Sequence, residues 1–140
     1  MNIIFFLTPK NKLEFLEDTD TVRQAIEKIR IKGFTAIPII SEKDGKYIGT
    51  VSEGDFLWHI LNNNYFNIKE LEDVLVVDII NKGRYQSVSI SAEVDDLLNL
   101  IKIQNFVPVV DDRGIFMGII TRRRVIEYYY ELAVKEQQND

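Results

Sequence analysis

The chain contains no cysteine. Disulfides, thiolate metal sites and cysteine nucleophiles are therefore excluded. A single histidine, His59, cannot build a metal cluster. Long apolar runs are also missing. The N-terminal "MNIIFFLTPK" holds five consecutive apolar residues, Ile3 to Leu7, against about 20 for a membrane span. It lacks the basic start and longer apolar core of a signal peptide, so it reads as part of the fold. With no cysteine, that combination points to the cytoplasm. Nor is there an excess of positive charge: the net charge is −5. Non-specific phosphate binding wants a basic surface, which argues against a nucleic-acid partner. No Gly-rich phosphate loop and no paired catalytic set is present, so the residues do not describe an enzyme.

What is present fits a compact body. The 140 residues suffice for one domain, or for two small lobes sharing a core. One stretch stands out in the C-terminal half, "IFMGIITRRRVIEYYY". An apolar β-forming run ends at Thr121, three arginines follow, and a helix-like segment begins. Cations are disfavoured at the positive end of a helix dipole, so a bound anion would account for them.

The chain is also a repeat. Val22, Ala25 and Ile29 align with Val94, Leu97 and Ile101 at an offset of 72, and Phe34 aligns with Phe106. Pro38 aligns with Pro108 at 70, and Gly45, Gly49 and Ser52 align with Gly114, Gly118 and Thr121 at 69. Small gaps in loops with apolar positions kept are the mark of a duplicated structural unit. In the first copy, Asp20 or Thr19 is the expected N-cap of a helix with Val22, Ala25, Ile26 and Ile29 on one face, ended by Gly33. "FTAIPII" is a short strand whose Pro38 predicts an edge or a bulge. "EKDGK" is a hairpin turn, "YIGTVS" the return strand, and "EGDFLWHILNNN" a second helix. The second copy predicts helix 92–104, strand 106–110, turn "DDRG", strand 115–120 and helix 122–136. Between them, "YFNIKELEDVLVVDIINKGRYQSVSIS" carries apolar residues throughout and reads as a packed connector. The boundaries are 1–64 for the first unit, 65–84 for the connector and 85–140 for the second unit, and the units should form one body.

A β-α-β-β-α unit with glycine, two apolar residues, Ser or Thr, two variable residues and Asp after an apolar strand resembles the CBS domain. "GTVSEGD", residues 49–55, fits in full. "GIITRRR", residues 118–124, fits up to Arg124, which replaces the acid. "AIPII", "FVPVV" and "DVLVVDII" match neighbouring segments of the family. The resemblance implies an α+β fold of two CBS units related by pseudo-two-fold symmetry, packed as one Bateman module. It also implies a regulatory module, not an enzyme, that senses an adenine nucleotide in clefts between the units and signals to a partner protein. Such pairs commonly form homodimers through their last helices; some of the aromatic residues among Phe56, Trp58, Tyr128, Tyr129 and Tyr130, with Leu57, are expected to exceed what a monomer core needs.

Carried over residue by residue, the resemblance implies two clefts. The first combines Lys12, Leu13, Glu14, Phe34, Thr35 and Ala36 with Thr121, Arg122, Arg123 and Arg124. The second combines Tyr85, Gln86, Ser87, Phe106 and Val107 with Ser52 and Asp55. Asp55 would accept from ribose hydroxyls, and Ser52 would meet a phosphate at the helix N-terminus. In the first cleft arginines would grip phosphate in forked fashion. Successive helix positions diverge by about 100°, so Thr121, Arg122 and Arg123 are favoured over all three arginines. The plainer readings stay open: helix capping by Ser52 and Asp55, and a solvated basic patch pairing with Glu127. "TRR", Lys12 and "FTAIP" are similar to small stand-alone CBS pairs that bind cyclic di-AMP, although Glu14 adds a negative charge. An AMP, ADP or ATP sensor and a ligand-free structural dimer are the alternatives. No metal and no cofactor beyond the regulatory nucleotide is implied.

Overall fold

A computed structural model describes residues 1–63 and 67–139. They divide into two compact units. One is continuous, Glu14–Tyr85; the other joins Met1–Leu13 to Gln86–Asp140. We call them the middle unit and the terminal unit, after their place along the chain.

In the middle unit, β2 (Leu16–Glu17), β3 (Ala36–Ile40) and β4 (Tyr47–Ser52) form a sheet in that order. β2 and β3 run parallel and are joined by α1 (Val22–Lys32); β3 and β4 are an antiparallel hairpin. Helix α1 begins at Thr21 and not at Asp20 or Thr19. Thr21 and Gln24 form a reciprocal capping box: the Thr21 hydroxyl accepts from Gln24 N–H at 3.2 Å, and Gln24 Oε1 accepts from Thr21 N–H at 2.8 Å. Two orphan helix donors are met at once. Asp20 closes the preceding turn instead, its carboxylate accepting from Glu17 N–H. Gly33, at φ 72°, ends the helix in the left-handed conformation, as expected. Pro38 stands opposite Thr50, one residue before a bulge at Ile39/Ile40. The short β2 bonds only to Ile39 and Ile40, so the proline lies beyond its reach. α2 (Glu53–Asn63) follows β4 directly, and α3 (Ile68–Glu72) and a 3-10 turn (Val76–Asp78) complete the unit. Its core gathers Leu16, Val22, Ala25, Ile37, Ile39, Val51, Phe56 and Val76. Each such large apolar side chain contributes about 1.5–3 kcal/mol on burial.

The terminal unit repeats the plan with an extra strand. Its sheet runs β1 (Thr8–Pro9), β7 (Phe116–Thr121), β6 (Phe106–Val110), β5 (Val88–Ser89). α4 (Val94–Ile101) links β5 to β6, and α5 (Arg122–Asn139) follows β7. The helix predicted over 92–104 is shorter because Glu93 makes no side-chain cap bond and because Gln104 turns inward. "MNIIFFLTPK" is part of this unit. Asn2 caps a 3-10 turn over Ile3–Phe6, Ile3 and Phe6 are buried in the core, and β1 pairs with β7. The rest of the core is Val88, Leu97, Ile101, Val107, Val109, Ile120 and Val125. The repeat positions Ala25 and Leu97 are thus both buried, each in its own unit.

Candidate functional site

The β4–α2 junction of the middle unit carries the intact motif. Thr35 C=O accepts from Glu53 N–H at 3.0 Å, and Ala36 pairs with Ser52 across the hairpin. The segment Phe34, Thr35, Ala36 and the pair Ser52, Asp55 therefore meet within one unit. Ser52 and Asp55 are buried and cap each other. Asp55 Oδ2 accepts from Ser52 N–H at 2.9 Å, and Ser52 Oγ accepts from Asp55 N–H at 3.4 Å. The helix amides of Glu53 and Asp55 are thus already bonded, and the Ser52 hydroxyl serves as a cap. Among the described residues the other carboxylate oxygen of Asp55, Oδ1, accepts no hydrogen bond.

Asp55 lines a cavity of about 490 Å³, a volume within the range of small-molecule sites. One wall is a single face of α2, with Asp55, Trp58, His59, Asn62 and Asn63. The other is the 78–84 segment, with Asp78, Ile79, Ile80, Asn81 and Arg84. Asn63 Nδ2 donates to His59 C=O at 2.9 Å and lies 3.3 Å from His59 Nδ1. The Arg84 guanidinium lies at the start of α2: a Cβ on Gly54 would stand 3.8 Å from its Nη1. Among the described residues it has no ion-pair partner, and an unpaired arginine beside a cavity is an anion-binding group. The sequence reading missed Arg84 because it falls at the end of the segment read as connector, and no local pattern marks it. His59 is half-buried and lines the cavity.

The remaining residues named for the clefts have particular settings. Glu14 lies 3.6 Å from both Lys28 Nζ and Lys32 Nζ, so its charge is directed to α1. Tyr85 is half-buried. Burial pushes the neighbouring Tyr47 phenol up to about 12, against a 2.6 Å hydrogen bond with Thr50 that favours ionisation.

In the terminal unit, Lys12 is exposed and Leu13 half-buried, just after the 3-10 turn over Lys10–Lys12. Gln86 and Ser87 are exposed at the entry to β5, while Phe106 and Val107 are buried in β6. Phe106 pairs with Thr121, and Val107 with Ile120. A second residue the sequence reading missed, Gln104, fixes this entry. Its buried amide accepts from Gln86 N–H at 3.2 Å and donates to Gln86 C=O at 2.8 Å and Phe106 C=O at 3.0 Å. The only signal was a polar residue between two apolar runs.

The three arginines separate, as their helical spacing requires. Arg122 Nε donates to Ile101 C=O at 2.9 Å, meeting a carbonyl at the C-terminus of α4. Arg124 lies over the Phe5 ring, 5.1 Å from its centroid. Its backbone N–H donates to Thr121 Oγ1 at 3.1 Å, which makes Thr121 the N-cap counterpart of Ser52. Arg123 is 88% exposed and pairs with Glu127 at 3.0 Å. Only Arg123 therefore presents its guanidinium outward.

At the hairpin turns, Asp44 and Asp111 are held below the usual carboxylate range, chiefly by the backbone N–H groups of Lys46 and Ile115 respectively. These are turn-closing groups. No cluster of three or more metal-ligating side chains occurs among the described residues.

A family model described as the CBS domain matches residues 7–62 and 73–131. The chain belongs to the CBS domain family. Its fold matches that of a CbpB protein solved in complex with c-di-AMP, with a TM-score of 0.88 and 21% identity, over 100% of this chain and 91% of that one. At that identity the likeness speaks to the fold. The protein CBSX2, solved in complex with AMP, matches at TM-score 0.74 and 25% identity over 94% of this chain and 98% of that one. An uncharacterised protein of Methanopyrus kandleri is 26% identical over 123 residues. The chain spans 60% of that relative's length, and 36% of the length of a second, from Methanocaldococcus jannaschii.

Proposed function

We propose that this CBS protein is a regulatory module that binds an adenine nucleotide, with cyclic di-AMP the favoured ligand, and passes its occupancy to a partner protein. The observation that carries the reading is the 490 Å³ cavity with Asp55 on one wall and, on the other, Arg84, which has no ion-pair partner among the described residues. A carboxylate oxygen left without a partner suits ribose hydroxyls, and an unpaired guanidinium suits a phosphate. Arg123 supplies a second outward guanidinium in the terminal unit, with Thr121 beside it. Phe34 and Ala36 in the middle unit supply apolar surface for a base, whereas the side chains of Phe106 and Val107 in the terminal unit are buried in β6. Of the other residues named for the clefts, Glu14 and Tyr85 belong to the middle unit and Lys12, Leu13, Gln86 and Ser87 to the terminal one. Solved family members with c-di-AMP and with AMP support the ligand class.

Ligand occupancy would act by shifting the population of states that a partner recognises. We further propose a homodimer built on α2 and α5. Leu57, Trp58 and Leu61 on α2, and Ile126, Tyr129 and Tyr130 on α5, recur at helical spacing and are exposed.

A ligand-free interaction module is the second reading. It is favoured by the reciprocal capping of Ser52 and Asp55 and by the structural bonds of Arg122. A thermal-shift titration separates the two. The panel is AMP, ADP, ATP, cyclic di-AMP, cyclic di-GMP and S-adenosylmethionine. A ligand that binds only the folded state stabilises it by about 2.7 kcal/mol at a hundredfold excess over Kd. A saturable shift with cyclic di-AMP supports the favoured ligand, and one with AMP, ADP or ATP replaces it by an energy-state sensor. No shift with any of them leaves the ligand-free reading.

A further inference from the structure

The charges around the cavity are unequal. Among the described residues the lining carries two carboxylates, Asp55 and Asp78, and one guanidinium, Arg84. With histidine counted neutral its net charge is −1, inside a chain whose own net charge is −5. The polar groups that remain are the amides of Asn62, Asn63 and Asn81, the His59 imidazole and the Trp58 indole. These bind a ligand's edges without neutralising it. The first-turn amides of Glu53 and Asp55, which elsewhere could help hold a phosphate chain, are bonded to Thr35 C=O and Ser52 Oγ. One cation therefore faces the whole anionic part of any ligand.

We propose that the cavity selects its nucleotide by charge: it takes one phosphate of low charge, above all a phosphodiester, at Arg84, and rejects polyphosphate chains through Asp78. This deepens the proposed function and rests on the nucleotide reading of the same cavity. A phosphodiester anion carries one negative charge and is balanced by one guanidinium. Cyclic di-AMP carries two phosphodiesters on opposite sides of its ring, so one meets Arg84 while the other is held apart; each further phosphate of a chain instead adds charge directly beside the first, meets no second cation there and is repelled by the carboxylates. Mg²⁺ bound to a triphosphate offsets part of that repulsion.

Calorimetric titration of the full chain with adenosine, AMP, ADP, ATP and cyclic di-AMP at about pH 8, without divalent cations, tests this. Affinity is expected to fall from cyclic di-AMP and AMP through ADP to ATP, by roughly tenfold or more between AMP and ATP at an ionic strength of about 0.01 M. The gap is expected to shrink at about 1 M salt, because screening acts on charge alone. Asp78→Asn should narrow the AMP-to-ATP ratio, and Arg84→Ala should abolish the preference for AMP over adenosine. Asp78 and Arg84 are exposed, so neither variant threatens the fold. ATP binding as tightly as AMP in wild type at low salt, or an unchanged ratio in Asp78→Asn, overturns the selectivity and leaves the proposed function standing. No heat from any nucleotide overturns that function itself.

Discussion

Arg122, Arg123 and Arg124 are neighbours in sequence and occupy three different environments. Arg122 is held to Ile101 C=O, Arg124 lies over Phe5, and Arg123 faces outward beside Glu127. Arg122→Ala should therefore lower stability by about 1 kcal/mol through the lost helix-end bond. Arg123→Ala should change stability by less than about 0.5 kcal/mol, since exposed ion pairs contribute little. Chemical denaturation distinguishes these. In its proposed role of binding phosphate, Arg123→Ala should weaken anionic nucleotides far more than adenosine; equal loss for both removes that role. At this scale the sequence was only partly legible. The helical spacing of the arginines says that they diverge. It does not say which one meets a carbonyl, because that partner lies 21 residues away on α4. Arg84 and Gln104 were illegible for the same reason: their meaning depends on what the folded chain brings beside them.

Elements were far more legible. The two strand-turn-strand-helix units follow from aligned apolar positions and turn glycines, since periodicity and turn chemistry are local properties. Two aligned glycines show where locality ends. Gly49 and Gly118 match in sequence, yet a Cβ on Gly49 would stand 2.6 Å from Ile80 Cδ1, the tip of a side chain that can rotate away. On Gly118 it would stand 2.1 Å from the Thr8 carbonyl oxygen, at a φ of 154°. Gly118→Ala must therefore push β1 off β7. It should cost about 2–3 kcal/mol, against about 1 kcal/mol for Gly49→Ala. Hydrogen exchange should show residues 1–9 losing protection only in Gly118→Ala, and equal protection in both variants would contradict the account. The short β1 itself gave no sequence signal, because two residues carry no periodicity. Its place in the terminal unit is a product of the fold.

For the whole molecule, the duplication and the family motifs made the architecture readable, while the ligand and the oligomeric state are tertiary and quaternary matters. The exposed apolar residues of α2 and α5 predict a homodimer in solution. Ile126→Glu, at a position 60% exposed, should shift the mass measured by light scattering to that of a monomer, and its unfolding midpoint should match that of dilute wild type. A wild-type monomer at high protein concentration would contradict this. The central claim is that a nucleotide occupies the cavity between α2 and the 78–84 segment, and the chain carries its own reporter there. Trp58 is the only tryptophan and lines that cavity. Titration of the protein with cyclic di-AMP, followed by tryptophan emission, tests the claim most directly. The account predicts a saturable change in wild type that is lost in Arg84→Ala and in Asp55→Ala. A flat titration in wild type, or a change that both variants keep, would contradict it.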